Sequence, residues 1–212
     1  MVEAWEQNST TRSANRMSEG INLGFTVTHD EMASFMKALD AMQAKSVLAG
    51  FPAEDEEREG TKVENGKAVP DGKPAGITNA SLAYIHNTGE PEKNIPARPF
   101  MVEGIETKAD DIADGMEQVG IAALDGNVQA VDVGLHTVGT IARDAIKGKI
   151  IDGPFEPLSE STLRNYARQG VKGAQEELDS RAAGNAPNPE NVRPLNRSGQ
   201  LRGAVQYVLQ DN

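Results

Sequence analysis

The sequence contains no cysteine among its 212 residues, and this excludes several kinds of site at once. Disulfides, cysteine-ligated zinc, iron–sulfur clusters and thiol catalysis all require that side chain. The redox compartment stays open, because a chain without cysteine can fold in an oxidising or a reducing environment.

Large apolar side chains are scarce as well. Aromatic residues make up 4% of the chain, the wider hydrophobic set 38%, and Leu, Ile, Val and Phe together about a fifth. No apolar run approaches the roughly 20 residues that a membrane-spanning helix needs, and residues 1–20 lack the apolar middle of a secretion signal. We expect a soluble protein with a thin core, in which neighbouring subunits supply part of the burial.

Basic residues are outnumbered, since 21 Lys and Arg stand against 32 Asp and Glu and give a formal net charge of -11. Binding to nucleic acid depends on clustered Lys and Arg that release counterions. The charge balance therefore argues against a general nucleic-acid binder. An acidic protein can still surround DNA without binding it tightly.

The common signatures of catalysis are missing too. His29, His86 and His136 occur in separate segments without metal-binding spacing, and there is no GxSxG, P-loop or GxGxxG motif. Sequence spacing cannot identify a catalytic pair among the 32 Asp and Glu residues, because such a pair is defined by the distance between its carboxyl groups in the folded protein. We expect no enzyme activity, no catalytic or metal-ligating residue and no cofactor.

What is present indicates one α+β domain with two extensions. Residues 1–22 are mostly polar, with Trp5 as the largest apolar side chain, and predict an N-terminal arm or, equally, a frayed terminus, while residues 23–212 form the domain. Residues 52–78 are crowded with Glu, Lys, Gly and Pro and predict a long flexible flap. A hairpin whose edges pair with a neighbouring subunit fits the same composition, and the sequence does not decide between the two.

Short strands are predicted at residues 23–28, 46–51 and 203–209, where β-branched and aromatic residues concentrate. Thr28 and Glu31 fit a capping box at the start of a helix that carries apolar residues as far as Met42. We expect the strands to form a small antiparallel sheet packed against two long helices.

Those two helices are the clearest pattern in the chain. Apolar residues recur at alternating steps of three and four over residues 102–123 and again over residues 128–145, with a tight turn between them. The pattern predicts an antiparallel pair. Gly115, Gly134 and Gly139 each cost about 1 kcal/mol in a helix relative to Ala, so they predict close approach of backbones.

Shorter elements surround this pair. A helix is predicted over residues 79–87, and Ser159 is a candidate N-cap for another helix that reaches Tyr166. Residues 173–183 predict a short polar helix, and residues 185–189 a loop.

Three segments in order resemble one protein family: residues 81–100 (SLAYIHNTGEPEKNIPARPF), 150–167 (IIDGPFEPLSESTLRNYA) and 193–209 (RPLNRSGQLRGAVQYVL). They are similar to the tail-completion or neck proteins at the head–tail junction of long-tailed phages. The family pattern is A-x-I-H-E-F-G, then I-P-A-R-P-F, P-L-x-x-x-T-L and P-L-x-x-T-G-x-L-R. This chain departs at Asn87-Thr88, in place of Glu-Phe, and at Arg197-Ser198, in place of Asp-Thr.

The resemblance implies a structural virion protein of a tailed bacteriophage that builds a ring, with six-fold symmetry expected, at the head–tail junction or the top of the tail. Its implied partners are copies of itself, the head–tail connector, the tail terminator and tail tube proteins. DNA would pass through the lumen without sequence-specific binding, and no membrane is involved. The implied location is the virion, with the host cytoplasm during assembly.

The proline-rich connector carries the interface hypothesis. Two prolines three residues apart fix the backbone of residues 94–100, so this segment is expected to present Arg98 and Phe100 in defined directions to a neighbouring subunit. Equally, Phe100 can begin the core of the following helix. The candidate interface residues are Ile95, Pro96, Arg98, Pro99, Phe100, Gly199, Leu201 and Arg202.

Two other functions compete with assembly. A tail-associated hydrolase would show turnover on cell-wall material, and a cytoplasmic acidic binding module or DNA mimic would act as a monomer. Lys and Arg are interspersed throughout the chain, which is unlike a mimic. A closed ring of many subunits would favour the structural function.

Overall fold

A computed structural model describes residues 29–52 and 57–212. The predicted arm, the first predicted strand and the Thr28 cap lie outside the described residues. Helices are numbered here as α1 His29–Gln43, α2 Asn79–Thr88, α3 Phe100–Glu106, α4 Ala109–Leu124, α5 Val128–Asp152, α6 Glu160–Arg168, α7 Ala174–Ala182 and α8 Gln200–Gly203. The strands are β1 Lys45–Gly50, β2 Glu57–Glu64, β3 Lys67–Thr78 and β4 Gln206–Asp211.

The α+β class is confirmed, with two small antiparallel sheets in the described part of the chain. One of them pairs β1 with β4, and the register sets Leu48 opposite Val208. These two side chains point outward and are about half exposed, while the alternate residues face α5. The predicted alternation along the last strand is therefore correct.

The last strand begins later than the sequence predicts. Residues 203–205 precede the strand, which begins at Gln206, because residues 200–203 form α8 instead. Gly199 begins this helix in the left-handed region at φ 74°, where glycine has no steric penalty. Backbone bonds from Gly203 N to Gly199 O and from Ala204 N to Gln200 O then hold the helical turn.

The first of the two long predicted helices is also corrected. It is divided into α3 and α4 at Thr107 and Lys108. Thr107 Oγ1 donates to the carbonyl of Gly104 at 2.6 Å, and Lys108 leaves helical geometry at φ −125°. The second helix is confirmed and is longer than predicted, as α5 continues to Asp152.

The predicted glycines do lie where elements pack closely, but the atoms nearest to them belong to side chains and not to the neighbouring backbone. A Cβ built at Gly115 would lie 2.9 Å from Val138 Cγ2, and one built at Gly134 would lie 2.5 Å from Val119 Cγ2. Both distances are far inside van der Waals contact, so only glycine allows the helices this separation. Gly139 allows α5 to pack closely against β4, since a Cβ at this position would overlap the Tyr207 ring.

The core is divided into two clusters along α5. The cluster near the start of α5 comprises Ala38, Val119, Ala122, Ala123, Val131 and Leu135. The cluster near its end comprises Ala83, Phe100, Ile146, Ile150, Leu201 and Val205. Three of the six residues in the first cluster are alanine, which agrees with the thin core expected from composition.

The predicted flap is the second sheet. Residues 57–78 form a hairpin of β2 and β3, and the pairing of its edges with a neighbouring subunit stays a prediction. Its turn is Asn65-Gly66, both at positive φ, as two-residue hairpin turns require. The tip is held against the body of the protein, because Lys172 N donates to Gly66 O at 2.8 Å.

The smaller predicted helices are confirmed as α2, α6 and α7. Ser159 caps α6 through a bond from Thr162 N to its Oγ at 3.3 Å. No helix within residues 29–52 and 57–212 is long and apolar enough to cross a membrane.

Candidate binding cleft

Five parts of the chain meet around one open cleft of about 540 Å³. They are the β2–β3 hairpin, α2, the proline connector, the start of α6 with the loop before it, and the loop before α8. Three guanidinium groups line it, from Arg58, Arg98 and Arg197. We call it the arginine cleft.

Arg98 is the most deeply buried of the three, at 5% exposure. The stiff connector positions it, and its backbone N donates to His86 O at 2.8 Å. Its Nη2 donates to the Glu156 carbonyl at 3.3 Å, but its Nε is buried without a partner. Burial lowers the pKa of this guanidinium from its usual value. It still keeps its charge at neutral pH, because Arg titrates far above that range.

Arg197 and Arg58 also line the cleft. The Arg197 guanidinium stacks over the Tyr166 ring at 4.7 Å from the centroid, and its Nη2 donates to Gln169 Oε1. Its Nε is buried without a partner, as in Arg98. Burial, and then the charge of Arg197, lower the pKa of Arg58.

None of the three arginines forms an ion pair with a carboxylate of the described residues. Two acids, Glu59 and Glu156, also line the cleft. Both are exposed, and Glu59 Oε2 accepts a bond from Gly72 N in its own hairpin. The lining therefore carries three positive and two negative charges, an excess of one positive charge within an acidic protein.

The two titratable rings in the cleft are neutral at pH 7. Burial, and then the charges of Arg98 and Arg58, lower the pKa of His86 to about 4. Burial raises the pKa of Tyr166, and the surrounding arginines oppose this without cancelling it. His86 Nδ1 is buried without a hydrogen-bond partner. The cleft thus combines fixed cations with neutral polar rings, a chemistry suited to holding an oxyanion.

A buried carboxylate fixes the wall next to the cleft. Glu177, 1% exposed, accepts bonds from Arg181 Nε at 2.7 Å, Asn191 Nδ2 at 2.9 Å and Asn188 N at 3.0 Å. Arg181 Nη1 also donates to the carbonyl of Leu158, a cleft residue, at 2.7 Å. This network ties α7 and the following loop to the cleft.

The structure divides the predicted interface residues between several places. Five of them line the arginine cleft: Ile95, Pro96, Arg98, Gly199 and Leu201. Phe100 is fully buried in its own core, 6.1 Å edge-to-face from Phe51, and Pro99 is the residue before α3. Arg202 lines a neighbouring depression beside the hairpin tip. Their role in an interface stays a prediction.

Other residues of the cleft were not predicted as site residues. Arg58 belongs to the predicted flap, and no sequence pattern points to its pairing with Ser198, whose Oγ accepts from Arg58 Nη2 at 3.4 Å. Arg197 and Ser198 are known from the sequence only as departures from the family pattern. Asn87, the other departure, caps α3 by accepting a bond from Met101 N at 3.1 Å.

Among the described residues no group of three or more His, Asp or Glu is arranged to hold a metal ion. No protein-family model, curated protein or solved structure matches this chain.

Proposed function

We propose that this chain is a structural virion protein of a tailed bacteriophage, which forms a ring at the head–tail junction or the top of the tail. One observation carries the proposal. The three segments of the family resemblance lie far apart along the chain, yet each contributes to the arginine cleft, with Arg98 from the first, Tyr166 from the second and Arg197 from the third.

The contacts within the cleft support a binding role over a purely structural one. A core motif would bury apolar side chains against one another, whereas these segments bring together cations whose Nε groups lack partners. Buried polar groups without partners are costly unless a ligand or neighbour satisfies them. We infer that a neighbour in the assembled particle does so.

The exposed edges support assembly further. Both sheets have two strands in the described part of the chain, so each leaves edges that a neighbouring strand can extend. The partners we propose are copies of this chain, the connector, the tail terminator and tail tube proteins. DNA passes through the lumen, where an acidic surface repels phosphates and lets the duplex slide.

The experiment is to locate the chain in particles. Phage carrying a tagged copy of this gene are purified and examined by antibody-labelled electron microscopy and by mass spectrometry of the particle proteins. We expect label at the junction of head and tail, in a fixed copy number. Absence of the chain from finished, infectious particles would contradict the proposal.

A further inference from the structure

Helix α4 has an exposed face that nothing in the described residues covers. Along this face, at positions i, i+4, i+7, i+11 and i+14, stand Asp110, Asp114, Glu117, Ile121 and Leu124. Ile121 is 43% exposed and Leu124 is 69% exposed. At 1.5 Å per residue the row extends about 21 Å along the helix. We call it the α4 face.

The acidic end of this face has no partners of its own. Asp110, Asp114 and Glu117 form no ion pair with a described residue, whereas the nearby Asp111 pairs with Lys108 at 2.8 Å. Three unpaired carboxylates at helical spacing repel one another and lie on one side of the helix. The apolar end adds two large side chains in contact with water, which is typical of an interaction surface.

The arginine cleft has the opposite character. It holds three guanidinium groups without ion-pair partners, one of them on Arg98 at 5% exposure with an unsatisfied Nε. Guanidinium groups bind carboxylates in a bidentate geometry, with two parallel N–H···O hydrogen bonds. Apolar residues such as Ile95, Leu195 and Leu201 also line the cleft.

We propose that the arginine cleft of one copy binds the α4 face of a second copy, with Asp110, Asp114 or Glu117 of that copy supplying the missing carboxylates. This rests on the proposed function, since it names the contact by which copies assemble. The two surfaces belong to different elements, and no α4 residue lines the cleft. The contact therefore joins two unlike surfaces. Since we expect a ring, we propose that it runs head-to-tail, and such contacts close into rings when the rotation between copies permits.

The test uses two full-length variants, each blocked on one surface. R58E/R197E reverses charge in the cleft, and D110K/D114K/E117K reverses it on the α4 face. K37E and D40K are the controls, because both residues are exposed on α1 and form no ion pair with a described residue. Circular dichroism verifies folding, and R58Q/R197Q replaces the charge reversal if that variant unfolds.

Sedimentation velocity then measures self-association at low salt. We expect wild type and both controls to assemble, and each blocked variant to associate at least tenfold more weakly. An equal mixture of the two blocked variants should form a 1:1 dimer and stop there, because only one intact cleft and one intact α4 face can meet. Added salt should weaken every one of these contacts.

The experiment separates results that contradict the cleft contact from results that contradict the proposed function. If wild type forms rings and the blocked variants form them equally well, the cleft contact is wrong while the proposed function stands. The same holds if the mixture of blocked variants stays monomeric. If wild type itself stays monomeric at every concentration, both the contact and the assembly function are contradicted.

Discussion

At the scale of single residues, Glu177 is the most deeply buried charged side chain in the described part of the molecule. Burial raises the pKa of its carboxyl, but the bonds from Asn191, Arg181 and Asn188 outweigh this and lower the pKa overall. A carboxyl whose pKa is lowered on folding stabilises the protein above its unfolded pKa, and this stabilisation is lost as the pH falls through the folded pKa.

We expect E177Q to lower the free energy of unfolding by about 2 kcal/mol at pH 7, since the amide cannot accept all three bonds and leaves Arg181 without a counter-charge. Denaturant titration measures the change. E176Q is the matched control, because its carboxylate is exposed on the same helix and should change stability by less than about 0.5 kcal/mol. Equal effects of the two substitutions would contradict the role of Glu177.

His86 predicts a pH dependence of stability. Its folded pKa of about 4 lies below its usual value of 6.5, so the unfolded chain binds the proton first as the pH falls. Stability is complete above about pH 6.5 and decreases by up to about 3 kcal/mol as the pH approaches 4. H86Q should flatten this part of the curve of unfolding free energy against pH. An unchanged slope in the variant would contradict the buried, neutral histidine.

The sequence predicts how Arg98 is positioned, but it does not predict which residues lie next to it. Two prolines fix its direction, and the structure places it on the wall of a cleft. Its neighbours there come from a hairpin and from a distant loop, and only the folded chain brings Arg58 and Arg197 to it. Sequence spacing carries no information on such contacts, because they depend on how separate elements pack.

At the scale of elements, the helices follow from hydrophobic spacing and their ends follow from local hydrogen bonds. The steps of three and four continue through Thr107 and Lys108, so periodicity alone predicts one helix there. The side chain of Thr107 competes for the Gly104 carbonyl and produces a break that spacing cannot show. Likewise, the last strand begins late because Gly199 starts a short helix in its place.

The α4–α5 contact provides a test within one helix. G134A should lower the free energy of unfolding by about 1 to 3 kcal/mol, because its Cβ would overlap Val119 and force the helices apart. G148A in the same helix meets no atom within 4 Å, and should raise stability by about 1 kcal/mol through helix propensity. Thermal unfolding of both variants measures the difference. A stabilising G134A would contradict the close approach of the helices.

At the scale of the whole molecule, the proposed passage of DNA depends on the charge of the protein. A net charge of -11 leaves one cluster of unpaired arginines in the described part of the chain, and a second copy's carboxylates would neutralise it. We expect no shift of duplex DNA by the assembled protein in electrophoresis at low salt, where phosphate binding is strongest. Retention of DNA there, lost on adding salt, would show a basic lumen and contradict sliding passage.

Composition predicts that the protein needs partners, and it carries no information on which surfaces would meet. Large apolar residues are few in the chain, and three of the six residues in the first core cluster are alanine. This thin core is the reason why we expect association with partners. The arginine cleft joins residues from separate elements, so it cannot be recognised before the chain is folded. The row on α4 follows helical spacing within one helix, and only its exposure has to be learned from the structure.

The mass of the native particle shows directly whether copies of this protein assemble with one another. Native mass spectrometry of the full-length protein, with sedimentation over a wide concentration range, should show a closed ring of many identical subunits with one dominant copy number, six being expected. A chain that stays monomeric at the highest attainable concentration would contradict the claim that this protein works by assembling with its own copies.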